Sequence, residues 1–230
     1  MKSFSSFEKS IGYEFKNKDL LVEAFTHRSY LNENPSWKGS HNERLEYLGD
    51  AVIELIVSEF LYVKFPGKPE GELTSVRAAL VNANMLSSVA SDLDMNNFLV
   101  LSRGEAKDTG RARSFILANA FEAFAGALYL DGGYEAAKSF IEKHLLTKTE
   151  DVLKNKLFRD PKSLFQEKAQ ELVGVTPSYK VLEEWGPDHD KHFVVGVYLD
   201  EELVASGEGP SKQEAEQGAA EAGLHEKSWQ

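Results

Sequence analysis

Glu43, Glu46 and Asp50 are the first residues whose types and spacing could do chemistry. They lie in the stretch His41-Asn42-Glu43-Arg44-Leu45-Glu46-Tyr47-Leu48-Gly49-Asp50. Wound as a helix at about 100° per residue, the spacings i, i+3 and i+7 bring the three carboxylates into one narrow arc. Leu45, Leu48, Val52 and Leu55 fall on the other side, where a core is expected. A solvated acidic face gives the same pattern, and Glu54, one turn on, fits it. Surface helices, however, usually set Lys or Arg four residues from Glu, and Arg44 is the sole base in this stretch. Repelling carboxylates are stabilised when a divalent cation neutralises them. On spacing alone, a metal site and a solvated face both remain open.

A second constellation is sharper. Ser114 to Leu130 reads as a helix that is apolar almost all round (Phe115, Leu117, Ala118, Phe121, Phe124, Ala125, Leu128), so it is expected to be buried. Asn119 and Glu122 sit inside it, three residues apart on one face, with no Lys or Arg within four residues of Glu122. A bare carboxylate in such a helix costs several kcal/mol, roughly, so it needs a partner or a metal. Two acidic helices facing each other would make a cage of oxygen ligands suited to Mg²⁺ or Mn²⁺.

The elements that position these residues are legible in order. Two short helices are predicted over residues 4 to 30, the second capped by Asn17 and carrying Leu20, Leu21, Ala24 and Phe25. Thr26-His27-Arg28-Ser29-Tyr30 is predicted to end it. His27 could serve as a base, although satisfying a nearby backbone group is the commoner use of such a histidine. The acidic helix runs to about Lys64 and is stopped by Pro66-Gly67. Helices from Pro69 and from Met85 to Leu93 follow, then a brief strand-like run, Phe98 to Leu101. Arg103 to Arg113 is a glycine-containing loop with four bases (Arg103, Lys107, Arg111, Arg113), either solvated or a phosphate contact. Asp131-Gly132-Gly133 ends the buried helix, and Tyr134 to Leu146 adds one more.

Residues 1–146 therefore read as a helical domain and residues 147–158, polar with few anchors, as a linker. In residues 159–230, Pro161 to Val173 is predicted as a helix. Ser178 to Glu184, His192 to Asp200 and Glu202 to Glu208 are predicted strands, and Ser211 to Glu226 an alanine-rich helix. The fold class is thus a mainly α-helical N-terminal domain plus a small α+β domain of order α-β-β-β-α, both of its helices on one sheet face.

Composition narrows the function. Among 230 residues there is no cysteine, which excludes disulfide scaffolds, zinc-thiolate sites and thiol nucleophiles and suits a reducing cytoplasm. Met1-Lys2-Ser3-Phe4 lacks the apolar run of a signal peptide, and no stretch is apolar enough to span a bilayer, so no membrane partner is expected. The net charge of −11 weighs against nucleic-acid binding in bulk, although local patches decide.

The stretch His41 to Asp50 resembles the signature of the bacterial ribonuclease III family. Thr26-His27-Arg28-Ser29, Pro69-Glu70-Gly71-Glu72 and Ser114-Phe115-Ile116-Leu117-Ala118-Asn119-Ala120-Phe121-Glu122-Ala123 resemble its other landmarks, in the same order. The C-terminal module is similar to a double-stranded-RNA-binding domain through Gly186-Pro187-Asp188-His189-Asp190-Lys191-His192-Phe193 and Gly207-Glu208-Gly209-Pro210-Ser211-Lys212. The resemblance implies an endonuclease domain over residues 1–146 and an RNA-binding domain over 159–230. It implies a homodimeric, Mg²⁺-dependent, cytoplasmic enzyme that cuts both strands of duplex RNA, with Mn²⁺ able to substitute. Its products would carry 5′-phosphates and short 3′ overhangs, and its substrates would be rRNA, mRNA and other structured precursors.

Carried over by position, the resemblance places Glu46, Asp50, Asn119 and Glu122 around the metal, with Asp50 and Glu122 catalytic. Glu43 and Glu70 become accessory acids, and Tyr47, where phenylalanine is usual, inserts across the dimer interface. Gln166, Glu167, the loop from Pro187 to His189, and Lys212 become RNA contacts. Hydrolysis by carboxylate-held Mg²⁺ needs no Ser, Cys or His, in agreement with the residues present, and contacts to 2′-hydroxyls and phosphates across successive grooves explain a preference for A-form RNA. Two further departures stand out: Asn119 where aspartate is usual, and Lys212-Gln213-Glu214 where two or three bases are usual. Residues 160–230 hold six Lys/Arg against fifteen Asp/Glu, so most of the net charge lies there. A non-cleaving RNA-binding protein of the same architecture is the alternative. A helical di-metal oxidase would want Glu-x-x-His pairs, and no histidine here has Glu three residues before it.

Overall fold

Asn17 accepts from the Asp19 N–H at 3.0 Å and so starts the second helix of the chain. The computed structural model describes residues 4–107, 109–155, 160–187 and 191–229, so His189 lies outside the described residues. They fall into two compact units, Met1–Phe158 and Arg159–Gln230. The first opens with α1 (Ser5–Ile11) and α2 (Lys18–Phe25). Three helices, not two, precede the acidic one. The His27 ring accepts from the Ser29 N–H and caps α3 (Arg28–Glu33), so the segment expected to end a helix begins another.

The acidic helix α4 (Glu43–Lys64) is followed by α5 (Glu70–Val81) and by α6 (Ala83–Asp92), whose start Asn82 caps. The apolar run at 98–101 makes only an isolated parallel bridge between Val100 and Thr26. Helix α7 (Arg111–His144) breaks at Gly133, where φ is 77°, close to the predicted stop. Just before the break, Asp131 accepts from Tyr13 Oη and from the N–H groups of Lys16 and Asn17, tying α7 to the start of α2.

Two expectations fail for the same reason, namely that tertiary contact decides what a short pattern leaves open. Residues 147–154 are not a free linker. A 3₁₀ turn (Leu146–Lys148) leads into α8 (Thr149–Lys154), and Thr149 and Val152 are fully buried. Leu55 is 58% exposed and not core; α4 instead buries Leu45, Val52, Ile53, Ile56 and Val57, with Leu48 half-buried.

The second unit contains α9 (Pro161–Val173), β1 (Ser178–Trp185), β2 (His192–Leu199), β3 (Glu202–Gly209) and α10 (Lys212–Glu226). The strands form one antiparallel sheet in the order β1-β2-β3, and Asp200, at φ 53°, sits in the tight β2–β3 turn. Phe193, Val195, Val197 and Leu199 alternate onto one face. There they meet Phe165 and Ala169 of α9 and Ala215, Ala219, Ala220 and Leu224 of α10.

Candidate active site

Helices α4 and α7 touch backbone to backbone, and two glycines permit it. A Cβ on Gly49 would stand 1.7 Å from the Glu122 carbonyl oxygen, and one on Gly126 would stand 2.3 Å from that of Leu45. The crossing therefore sets Glu46 and Asp50 of one helix against Asn119 and Glu122 of the other. Asn42 fixes the first turn of α4 from outside. It is buried, its N–H donates to the Thr26 carbonyl at 2.9 Å and its Nδ2 to that of Ala24 at 3.2 Å. Its own carbonyl accepts from the Glu46 N–H at 2.9 Å, so the tether ends one turn from the acids.

The electrostatics show that these groups face one another. Burial pushes the Glu122 carboxyl up to about 7, and the charges of Asp50 and then Glu46 push the same way. None of these influences is a neighbouring base that would lower it. Burial also raises Glu46, as do Glu43 and Asp50, while a hydrogen bond from the Asn119 amide opposes the rise. Asp50 is exposed, whereas Glu46, Asn119 and Glu122 are half-buried. Among the described residues no three His, Asp or Glu side chains stand together as a ready-made ion site. The acids do feel one another, since Asp50 raises both Glu46 and Glu122, and like charges at short range repel unless neutralised. The donor set, three carboxylates and an amide, nonetheless fits a hard, oxygen-seeking cation.

The accessory acids lie further out. Glu43 is exposed and accepts from Arg28 Nη1 at 3.1 Å. Glu70, in the first turn of α5, accepts from Thr74 Oγ1 at 3.1 Å and is absent from the charges acting on Glu46 and Glu122. It lines a groove of about 440 Å³ between α4 and α5 with Leu55, Tyr62, Leu73 and Arg77. Tyr47 points outward from α4 and is 83% exposed. Sequence reasoning missed Asn42, the groove and the glycine contact. Only the contact left a signal, a small residue in each of the two helices that carry the acids.

In the second unit, Gln166 and Glu167 are exposed on α9, and Pro187 is exposed just after β1. Lys212 is exposed at the start of α10, its Nζ 5.6 Å from the centre of the Phe193 ring. Ser211 caps α10 by accepting from the Glu214 N–H. Much of the scarce positive charge is neutralised locally: Lys162 pairs with Glu216, Lys168 with Glu171, Lys191 with Glu184 and Lys227 with Glu202.

Fold and site define a helical nuclease-type domain with facing carboxylates, joined in sequence to an α-β-β-β-α module of the double-stranded-RNA-binding kind. Residues 17–149 match the family described as Ribonuclease-III-like, and residues 161–227 match the double-stranded RNA binding motif. Similar curated proteins include Ribonuclease 3 of Protochlamydia amoebophila, 45% identical over 213 residues (93% of this chain, 87% of that protein). Ribonuclease 3 of Bdellovibrio bacteriovorus is 45% identical over 223 residues (96% and 95%). Among solved structures, a nuclease domain of ribonuclease III from Campylobacter jejuni is 39% identical and superposes with a TM-score of 0.58, covering 63% of this chain and 97% of that one. That structure is described as flexible in a region involved in dimer formation. The chain belongs to the ribonuclease III family. It is an endoribonuclease of double-stranded RNA.

Proposed function

We propose that Glu46, Asp50, Asn119 and Glu122 hold Mg²⁺, with Mn²⁺ able to replace it, and that Asp50 and Glu122 carry the catalysis. One observation supports this most: Glu122 is half-buried, and burial, Asp50 and Glu46 all raise its carboxyl, with no base opposing them. When bound, the cation lowers the pKa of a water and neutralises charge on phosphate oxygens. Glu122 carries a proton for part of the time near neutral pH in the metal-free protein and gives it up when the site is loaded. Asn119 steadies Glu46 through its amide donor, leaving its carbonyl oxygen as a neutral ligand. Asp50, which is exposed, orients the attacking water at the scissile phosphate in this reading. The products are RNA ends with 5′-phosphate and 3′-hydroxyl groups and short 3′ overhangs.

Cutting two strands calls for two sites, and the reading includes a cytoplasmic homodimer. The α4–α5 groove and exposed Tyr47 support it, since a ring left 83% exposed gains by burial in a partner. Glu70 on that groove would then serve as an accessory acid beside the partner copy, with Glu43 acting near the RNA. Gln166, Glu167, the Pro187–His189 loop and Lys212 touch the duplex, and the substrates are structured rRNA and mRNA precursors. The decisive experiment is cleavage of a long RNA duplex with Mg²⁺, with EDTA, and by Glu122→Gln. Both EDTA and the substitution should abolish cutting while gel shifts in Ca²⁺ stay near normal; cleavage by Glu122→Gln at the wild-type rate removes this residue from the mechanism.

A further inference from the structure

Helices α9 and α10 cover one face of the three-stranded sheet. On the other face the register lays out rows of side chains. Trp185 lies beside His192; next come Glu183, Val194 and Glu208, then Lys180, Gly196 and Ser206, then Ser178, Tyr198 and Leu203. The irregularity between Val181 and Glu183 turns Leu182 onto this face. A Cβ on Gly196 would stand 2.7 Å from Leu203 Cδ1, 3.0 Å from the Tyr198 ring and 3.2 Å from Leu182 Cδ1. These three side chains therefore close over the bare glycine into one apolar surface. Leu182, Trp185 and Leu203 are each more than 40% exposed, and Trp185 stacks on His192 at 5.7 Å and 12°. Isolated exposed apolar residues are ordinary, but contiguous ones mark contact surfaces.

The charge on this face selects the occupant. Glu183 and Glu208 stand on either side of Val194, and the acidic β2–β3 turn, Asp200 to Glu202, borders Leu203; the face also carries Lys180, its Nζ 4.6 Å from the centre of the Tyr198 ring, so acids outnumber lysines there. Such a face repels phosphate and attracts cations. The RNA contacts proposed above lie on α9, after β1 and at the start of α10, so two of the three are carried by helices on the opposite side of the sheet. An aromatic surface beside carboxylates suits Arg or Lys, whose heads stack on indole and pair with acids.

We propose that this outer sheet face docks a basic polypeptide segment of a partner protein. Its apolar side chains cover Leu182 and Leu203, and its Arg or Lys heads lie on Trp185 and between Glu183 and Glu208. The proposal rests on the RNA-binding reading only for the side of the module that RNA occupies. The test uses the full-length protein and a fluorescein-labelled ten-residue peptide of alternating arginine and valine, followed by anisotropy, with a glutamate–valine peptide as control. The wild type should bind the arginine peptide and not the control. Trp185→Ser/Leu203→Ser and, separately, Glu183→Gln/Glu208→Gln should each weaken binding by about tenfold or more, as central aromatic and charged contacts do. The first double variant should bind and cut duplex RNA like the wild type, with thermal unfolding confirming that it is folded. Absence of peptide binding by the wild type, or equal binding by all three proteins, overturns the proposal. Loss of RNA binding in the folded Trp185→Ser/Leu203→Ser variant also overturns it and moves RNA onto this face; the RNA-binding reading itself fails separately, if the wild type does not shift duplex RNA.

Discussion

Glu122 couples the chemistry of the site to the stability of the fold. Its carboxyl ionises at about 7 in the folded chain, against 4.5 as its ordinary value. Between those two values the folded state holds more protons than the unfolded state, so stability falls as pH rises. Burial raises Glu46 too, and it contributes in the same sense. Asp131 and Glu59 are lowered by their hydrogen bonds and oppose the trend at acid pH, so the informative quantity is a difference between proteins. In EDTA, the melting temperature of Glu122→Gln should exceed the wild type's by a margin that widens from pH 4.5 to about 7. Parallel curves would show that the residue is not raised. Asn119 bears on the same balance. Replacing it with aspartate puts a carboxylate where an amide now donates to Glu46, adding repulsion without metal and attraction with it. Asn119→Asp should lower the Mg²⁺ concentration for half-maximal cleavage by about threefold or more, since one added charge at contact range outweighs a neutral ligand. It should also lower the melting temperature in EDTA. An unchanged Mg²⁺ requirement would place Asn119 outside the ligand set.

At the scale of elements, the site depends on how closely two helices approach. A methyl group on Gly49 would enter the Glu122 carbonyl, so Gly49→Ala must push α4 and α7 apart. The expected cost is about 1–3 kcal/mol or more in urea unfolding, the range for overpacked cores. Cleavage should fall further than that loss of folded protein explains, because Glu46 and Asp50 recede from Glu122. If the variant is as stable and active as wild type, the close contact is not what positions the acids. The acids themselves were legible in the sequence because unpaired carboxylates at helical spacing are unusual. That their two helices face each other was anticipated as well; the close contact that brings them together was not, since it depends on Gly49 and Gly126 meeting across more than seventy residues of chain. Helix ends were legible at some punctuating residues, as at Asn17 and Pro66-Gly67. Helices α3 and α8 were missed because they are short and their signals are local, a histidine cap in one and a buried Thr149 and Val152 in the other. Leu55 fits a core stripe by spacing, yet it lines the exposed α4–α5 groove.

For the whole molecule the contrast lies in charge, because residues 160–230 carry most of the net −11 and yet hold the RNA-binding motif. The α-β-β-β-α order was readable from alternation and turn residues, whereas the pairing of its lysines was not. Lys162, Lys168, Lys191 and Lys227 each meet a carboxylate, which leaves Lys180, over the Tyr198 ring, and Lys212; of these two Lys212 stands at a helix N-terminus, a natural place for phosphate. There Lys212 and Gln213 are exposed, and the Glu214 N–H is taken up by the Ser211 cap. Gln213→Lys adds a cation beside Lys212 without disturbing that cap. A cation at a helix N-terminus opposes the helix dipole by roughly 0.3–1 kcal/mol, so a small drop in melting temperature is expected. Duplex affinity should nevertheless rise, and the slope of log K against log salt should steepen by up to about one, as for one added phosphate contact. Gel shifts over a salt series measure both quantities. If neither affinity nor slope changes while the melting temperature drops as expected, the lysine is in place and the helix start does not lie on the RNA backbone.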